Sequence, residues 1–229
     1  MSARDLAQLA YNRVLRHRLP RSYGLYAGVV ARDRRLLDLD VRVDDYKPGL
    51  LDAIDETVQA GDTVTLVGFG RGVSTVYTLA AGADRVIAYE AAQEMIDIGR
   101  ETLSINTDEP EAVDIRHALV GPPIEVYGAF EETPRIDPAD IEIGDVLICD
   151  CEGAEAAIID RFVDAFGPNV ADSPGWPDRM LIEAHPERGV PEKLWTDALD
   201  DAGYSRTTRP YNRNGERPDK RVHVLRRDP

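Results

Sequence analysis

Four short segments carry the residues that could do chemistry in this chain. They are the glycine turn from Gly68 to Gly72, Glu90, the run Asp150-Cys151-Glu152-Gly153, and Glu183-Ala184-His185. Each follows an apolar run that reads as a strand, and in an open α/β sheet such segments gather beyond the carboxyl ends of the strands. Gly68, Gly70 and Gly72 are spaced GxGxG, with Glu90 following 20 residues after Gly70. Glycines let a backbone approach a ligand closely, and a carboxylate at the end of the next strand can accept hydrogen bonds from ribose hydroxyls. The pattern therefore points to an adenosine-type ligand. Asp150 stands at a strand end with Cys149 and Cys151 expected on the opposite side. Glu183 and His185 share one side of their strand if the chain stays extended. An acid beside a base shifts pKa values and can hold an acceptor hydroxyl, so Asp150, Glu183 and His185 are the candidate catalytic group. Glu152 and Glu155 read more simply as acids at a helix N-terminus, where carboxylates are favourable.

The elements that must position these residues alternate. Apolar periodicity predicts a helix over 48–60, with Pro48 in its first turn, and a strand over 63–67. Helix 73–81, strand 85–90, helix 91–105 and strand 113–119 follow, then an irregular, proline- and acid-rich stretch at 121–142. Strand 145–150, helix 154–166, strand 180–184 and helix 191–202 come next, and strands near 205–209 and 221–225 close the chain. Regular βα alternation implies a mostly parallel sheet covered on both faces, and the last two strands read as an antiparallel hairpin. Before this lies an N-terminal addition, residues 1–47. It reads as a helix over 2–19 with a basic face, then a β-hairpin turning at Arg32-Asp33-Arg34. Residues 48–229 form the main domain. His117 falls on the third main strand, as a core residue or as a pocket wall.

Composition narrows the class. Of 229 residues, 42 are acidic and 27 basic, for a net charge of -15. Only three of the bases are lysines: Lys47, Lys193 and Lys220. Acid excess with scarce lysine resembles proteins of extreme halophiles, whose carboxylate surfaces stay hydrated in concentrated salt. In that setting net acidity does not exclude a nucleic-acid partner. No apolar run reaches the length of a membrane span, and the first residues show no signal core. Cys149 and Cys151 read as reduced, buried strand residues, which suggests the cytoplasm.

The stretches TVTLVGFGRGVST and VIAYEAAQEMIDIGRETLSIN, and above all DIEIGDVLICDCEGAEAAII followed by LIEAHP, resemble the FkbM family of S-adenosylmethionine-dependent O-methyltransferases. The resemblance covers roughly residues 45–227, and the DxEGAE block is its most specific part. It implies the class I methyltransferase fold, Rossmann-like, with seven strands and an antiparallel end. It further implies that Gly68 and Gly70 face the methionine part of the cofactor and that Glu90 binds its ribose, with Phe69 and Ala91 also among the cofactor-binding residues. His117 and Ala118 would border the adenine, and Asp150 would lie beside the transferred methyl group. The acceptor implied is a hydroxyl of a sugar or other small molecule. The class usually has an acid two residues before the first motif glycine, and here Leu66 stands there. Asp150, Glu183 and His185 have the donor types for Mg²⁺ or Mn²⁺, but their spacing does not call for a metal. Other readings use the same residues: a non-catalytic cofactor or nucleoside binder, an RNA methyltransferase, or a nicotinamide-dependent oxidoreductase. The last lacks a Tyr-x-x-x-Lys pair.

The charge balance generates the first prediction. Molar KCl screens surface charge to about 3 Å, so the melting temperature is expected to rise between dilute buffer and molar KCl. A flat or falling melting temperature in calorimetry would remove the halophile reading.

Overall fold

The computed structural model describes residues 7, 10–15, 18–35, 42–122, 133–189, 191–213 and 217–227. Its centre is a seven-stranded sheet. In chain order the strands are β4 (Thr63–Val67), β5 (Arg85–Glu90), β6 (Val113–His117), β9 (Val146–Cys149), β10 (Arg179–Glu183), β11 (Tyr204–Pro210) and β12 (Arg221–Arg227). Across the sheet the order is β11-β12-β10-β9-β4-β5-β6. Neighbours from β10 to β6 run parallel, and β12 lies antiparallel between β10 and β11.

The strands in the middle are buried on both faces, as VLIC in β9 shows with all four residues buried. That is why they read as unbroken apolar runs. One face carries α4 (Glu155–Phe166) and α5 (Glu192–Ala202), whose Ile158, Ile159, Phe162, Trp195 and Leu199 join Leu147, Met180 and Ile182. The other face carries α1 (Pro48–Thr57), α2 (Val73–Ala80) and α3 (Gln93–Asn106). There Leu50, Ile54 and Leu103 pack on Val64, Leu66, Ile148 and Leu181. Because β4 opens the sheet and the chain then winds to both sides of it, a crevice forms at the carboxyl ends of β4, β5 and β9.

The N-terminal hairpin exists, but its turn is not at Arg32–Arg34. Strands β1 (Arg21–Tyr26) and β2 (Val29–Arg35) are joined at Ala27-Gly28, and Tyr26 pairs with Val29. Both turn residues have positive φ, 46° and 86°. A two-residue hairpin of this kind matches strand twist, which a polar Arg-Asp-Arg run does not require. A third strand, β3 (Arg42–Val43), pairs parallel to β1. This small sheet packs through Tyr26, Val29 and Ala31 on Val73 of α2. Polar contacts tie it to α3: Val30 N–H donates to Asn106 Oδ1 at 3.0 Å, Arg32 pairs with Glu101 at 2.8 Å, and Tyr23 bonds Glu101.

Most of the helix expected over 2–19 lies outside the described residues. Tyr11–Leu15 form a π-type turn, with Val14 and Leu15 exposed. The stretch expected to be irregular at 121–142 contains β8 (Arg135–Ile136), paired with β7 (Leu119–Val120), and a short turn at Pro138–Asp140. Residues 123–132 lie outside the described set.

Arg179, at the start of β10, forks onto Asp62 with bonds of 2.7 and 2.9 Å and donates to the Thr57 carbonyl at 2.8 Å. Removing one member of a buried, bidentate pair strands the other. Asp62→Ala is therefore expected to lower the unfolding free energy by about 3 kcal/mol, read from the midpoint of urea denaturation.

Candidate active site

A cavity of about 440 Å³ opens at the carboxyl ends of β4, β5 and β9. Its floor is the turn after β4. Gly68 has φ 97°, and a Cβ there would lie 2.0 Å from the Asp150 carbonyl oxygen. Glycine at that position lets the turn lie against the end of β9. At Gly70, φ 54°, a Cβ would meet nothing within 4 Å, so the space above the turn is open. Phe69 lines the cavity, yet its ring packs so close to Gly99 that a Cβ there would sit 2.0 Å away.

Glu90 ends β5 at the cavity wall. Its carboxylate accepts from Gly70 N–H at 2.7 Å and from Ala92 N–H at 2.9 Å. Burial pushes its pKa above the ordinary carboxylate value, while those backbone donors pull the other way. Ala91, Ala118, Leu119 and Val120 continue this wall. His117 does not reach it. The residue is exposed, and its ring Nε2 lies 3.0 Å from the Ala91 carbonyl. Leu66 is fully buried in the core and presents no charge to the cavity.

The opposite wall holds Asp150, Cys151, Glu152, Tyr46 and Lys47. Behind Asp150 lies a compact cluster of charges. Lys47 Nζ donates to Asp150 Oδ2 at 2.5 Å and sits 3.2 Å from Glu183 Oε2. His185 Nε2 is 3.8 Å from Asp150 Oδ1 and 3.3 Å from Glu183 Oε1. The other ring nitrogen, Nδ1, meets Glu155 Oε1 at 2.5 Å. Lys220 Nζ pairs with Glu183 Oε1 at 2.5 Å and lies 4.4 Å from the centre of the Tyr211 ring. The three expected residues are thus together. Of them only Asp150 lies on the cavity wall; Glu183 and His185 stand behind it, almost wholly buried.

The electrostatics follow from this packing. Burial and the charge of Glu183 raise the pKa of Asp150, offset by Lys47 and His185. Burial would also raise Glu183, but Lys47, His185 and Lys220 hold it far below the usual range. Burial works against a charged His185; bonds to Glu155 and Glu183 and the charge of Asp150 outweigh it and push the pKa up to about 10. An imidazolium has no lone pair with which to take a proton, so a general-base role does not suit His185 at neutral pH. Lys47 is likewise held charged: burial opposes its charge, and Asp150 and Glu183 more than compensate.

No protein-family model matches this sequence, and no curated protein does. Solved structures do. A provisionally assigned S-adenosylmethionine-dependent methyltransferase from Streptococcus mutans superposes with a TM-score of 0.54 at 9% identity, over 90% of this chain and 55% of that one. A ribosomal protein L11 methylase from Lactobacillus delbrueckii subsp. bulgaricus gives 0.49 at 16% identity, over 86% of this chain and 90% of that one. The chain has the class I methyltransferase fold. At such identities the likeness speaks for the fold alone.

Several residues of the cluster were not expected from sequence. Glu155 orients His185 rather than merely opening a helix. Lys47, Lys220 and Tyr46 come from loops far from any motif. The scarcity of lysine was the one available signal, because two of the three lysines contact Glu183.

His185 makes stability pH-dependent. Its folded pKa of about 10 lies above the ordinary 6.5. The bound proton therefore stabilises the fold fully below about pH 6.5, and this contribution is lost as pH rises toward 10. Melting temperature is expected to fall across that range in the native chain, and less steeply in His185→Gln, which keeps hydrogen bonding without the charge.

Proposed function

We propose that this protein is an S-adenosylmethionine-dependent methyltransferase acting on a hydroxyl of a sugar or another small acceptor, similar to the FkbM enzymes. One observation supports the reading: Asp150 lines the same cavity as the glycine turn and Glu90. The residues fit the cofactor. Open space over Gly70, a carboxylate on the neighbouring strand end and the small residues Ala91 and Ala118 make a cradle for a nucleoside. When bound, the cofactor supplies an electrophilic methyl group on a sulfonium.

The chain's own work is then alignment and proton handling. An acceptor hydroxyl bound beside Asp150 would pass its O–H proton to the Asp150 carboxylate as its oxygen takes the methyl group. Gly68, Gly70 and Glu90 would hold the cofactor, which on giving its methyl group to the acceptor oxygen would leave as a neutral thioether. Lys47 holds the Asp150 carboxylate through its 2.5 Å bond, and His185 and Glu183 act on Asp150 through their charges.

Calorimetry with S-adenosylmethionine, its demethylated product and NAD tests the reading. Both sulfur compounds are expected to bind and NAD is not. Glu90→Ala is expected to weaken them about ten- to hundredfold, as loss of bonds to a charged group does. Asp150→Asn is expected to retain cofactor binding while lowering turnover about a hundredfold. Tighter binding of NAD would overturn the assignment.

A further inference from the structure

The donor set of Asp150, Glu183 and His185 has the form of a divalent-cation site. One ligand-type atom from each lies within 4.8 Å of the others. Among the described residues, two of the buried polar atoms aimed into this space, Glu183 Oε2 and His185 Nε2, make no hydrogen bond of good geometry and are met only by charged neighbours, Lys47 Nζ at 3.2 Å and Glu183 Oε1 at 3.3 Å. Their side chains are 0% and 1% exposed. Glu155 holds the far nitrogen of His185, as an outer-shell carboxylate holds a metal-binding imidazole. Oxygen and imidazole donors in such a set suit Mn²⁺ or Mg²⁺.

The space also contains a cation of the protein's own. Lys47 Nζ sits 2.5 Å from Asp150 Oδ2 and 3.2 Å from Glu183 Oε2. The backbone is bent to put it there. Lys47 has φ 47° and ψ 42°, a left-handed conformation. A side-chain-bearing residue adopts that conformation only at a cost, and a following proline makes it less favourable still. The carbonyl of Lys47 accepts from Leu50 and Leu51 N–H at 3.0 Å, so the first turn of α1 holds the strained residue in place. Residue choice agrees. With only three lysines against so many arginines, the chain keeps a lysine here, a compact point charge on a flexible stem.

We infer that the Lys47 ammonium is the resident cation of this site, filling the position a divalent metal would otherwise take. The occupancy stands on geometry alone. Its use rests on the methyl-transfer reading: Lys47 and Asp150 are the cluster members on the cavity wall, so an acceptor oxygen would meet a fixed positive charge beside the carboxylate that takes its proton. That charge stabilises oxygen as it loses the proton, the service a metal ion gives elsewhere. The acceptor class this suits is a neutral hydroxyl, methylated without added metal.

Mn²⁺ titration followed by electron paramagnetic resonance tests the occupancy without an acceptor. The native chain is expected to leave Mn²⁺ free up to about 1 mM, because the site is already charge-compensated. Lys47→Ala removes the competing charge and is expected to bind one Mn²⁺ about tenfold or more tightly than the native chain, the metal displacing the proton from His185 Nε2. Lys47→Arg, which keeps a positive charge, is expected to bind none. If Lys47→Ala fails to fold, Lys47→Met retains the stem and carries the same expectation. The inference is overturned if the native chain binds Mn²⁺ as tightly as these variants, or if folded Lys47→Ala and Lys47→Met bind none. A parallel S-adenosylmethionine titration keeps the outcomes apart. Loss of cofactor binding in the native chain would remove the methyl-transfer reading and leave the Mn²⁺ result to stand for the occupancy.

Discussion

The carboxylate of Glu183 is completely buried at the end of β10, and its charge must be answered from within the protein. An uncompensated buried charge costs several kcal/mol, so whatever surrounds this group is under strong constraint. Three cations reach it from three parts of the chain: Lys47 ahead of α1, His185 just beyond β10, and Lys220 at the entry to β12. Each brings a further partner: Asp150 for Lys47, Glu155 for His185 and Glu187 for Lys220. One desolvated acid thereby links the N-terminal segment, the loop after β9, the first turn of α4 and the loop between the last two strands.

This linkage explains how a small N-terminal sheet comes to shape a cavity that the main sheet would otherwise leave open. The sheet of β1, β2 and β3 is fastened to α2 by apolar contact and to α3 by Asn106 and Glu101. Tyr26 packs edge-on against Tyr46, ring centres 5.3 Å apart, while Arg71 of the glycine turn lies 5.4 Å above the Tyr26 ring. The segment 44–47 is held from both sides, and Tyr46 and Lys47 become wall residues. Strain collects at the same wall. Of the three non-glycine residues with positive φ among those described, two, Lys47 and Glu152, line the cavity. Backbone strain of that kind persists where surrounding contacts over-determine it.

Much of the fold was legible in the residue order because its signals are local. Apolar runs located β4 and β5 to the residue, and periodicity located α1 to α5 to within a few positions at their ends. The hairpin was legible as a hairpin, but its turn was assigned to charged residues when the backbone chose Ala27-Gly28, where both positions take positive φ. The strand β8 was not legible, since two residues carry no period and pair only because β7 lies beside them.

At the site, the sequence by itself determined which groups end the strands: the glycine turn, Glu90, Asp150 and Glu183 all follow from a parallel sheet whose strand ends share one edge. Tertiary structure alone decided the rest. It set His185 beside Glu155, moved His117 off the cavity wall, and brought Lys47 and Lys220 to an acid more than 30 residues away in either direction. The physical reason is the range of each effect. Strand and helix patterns arise from neighbours in the chain, whereas desolvation and charge pairing depend on what three-dimensional packing removes from water.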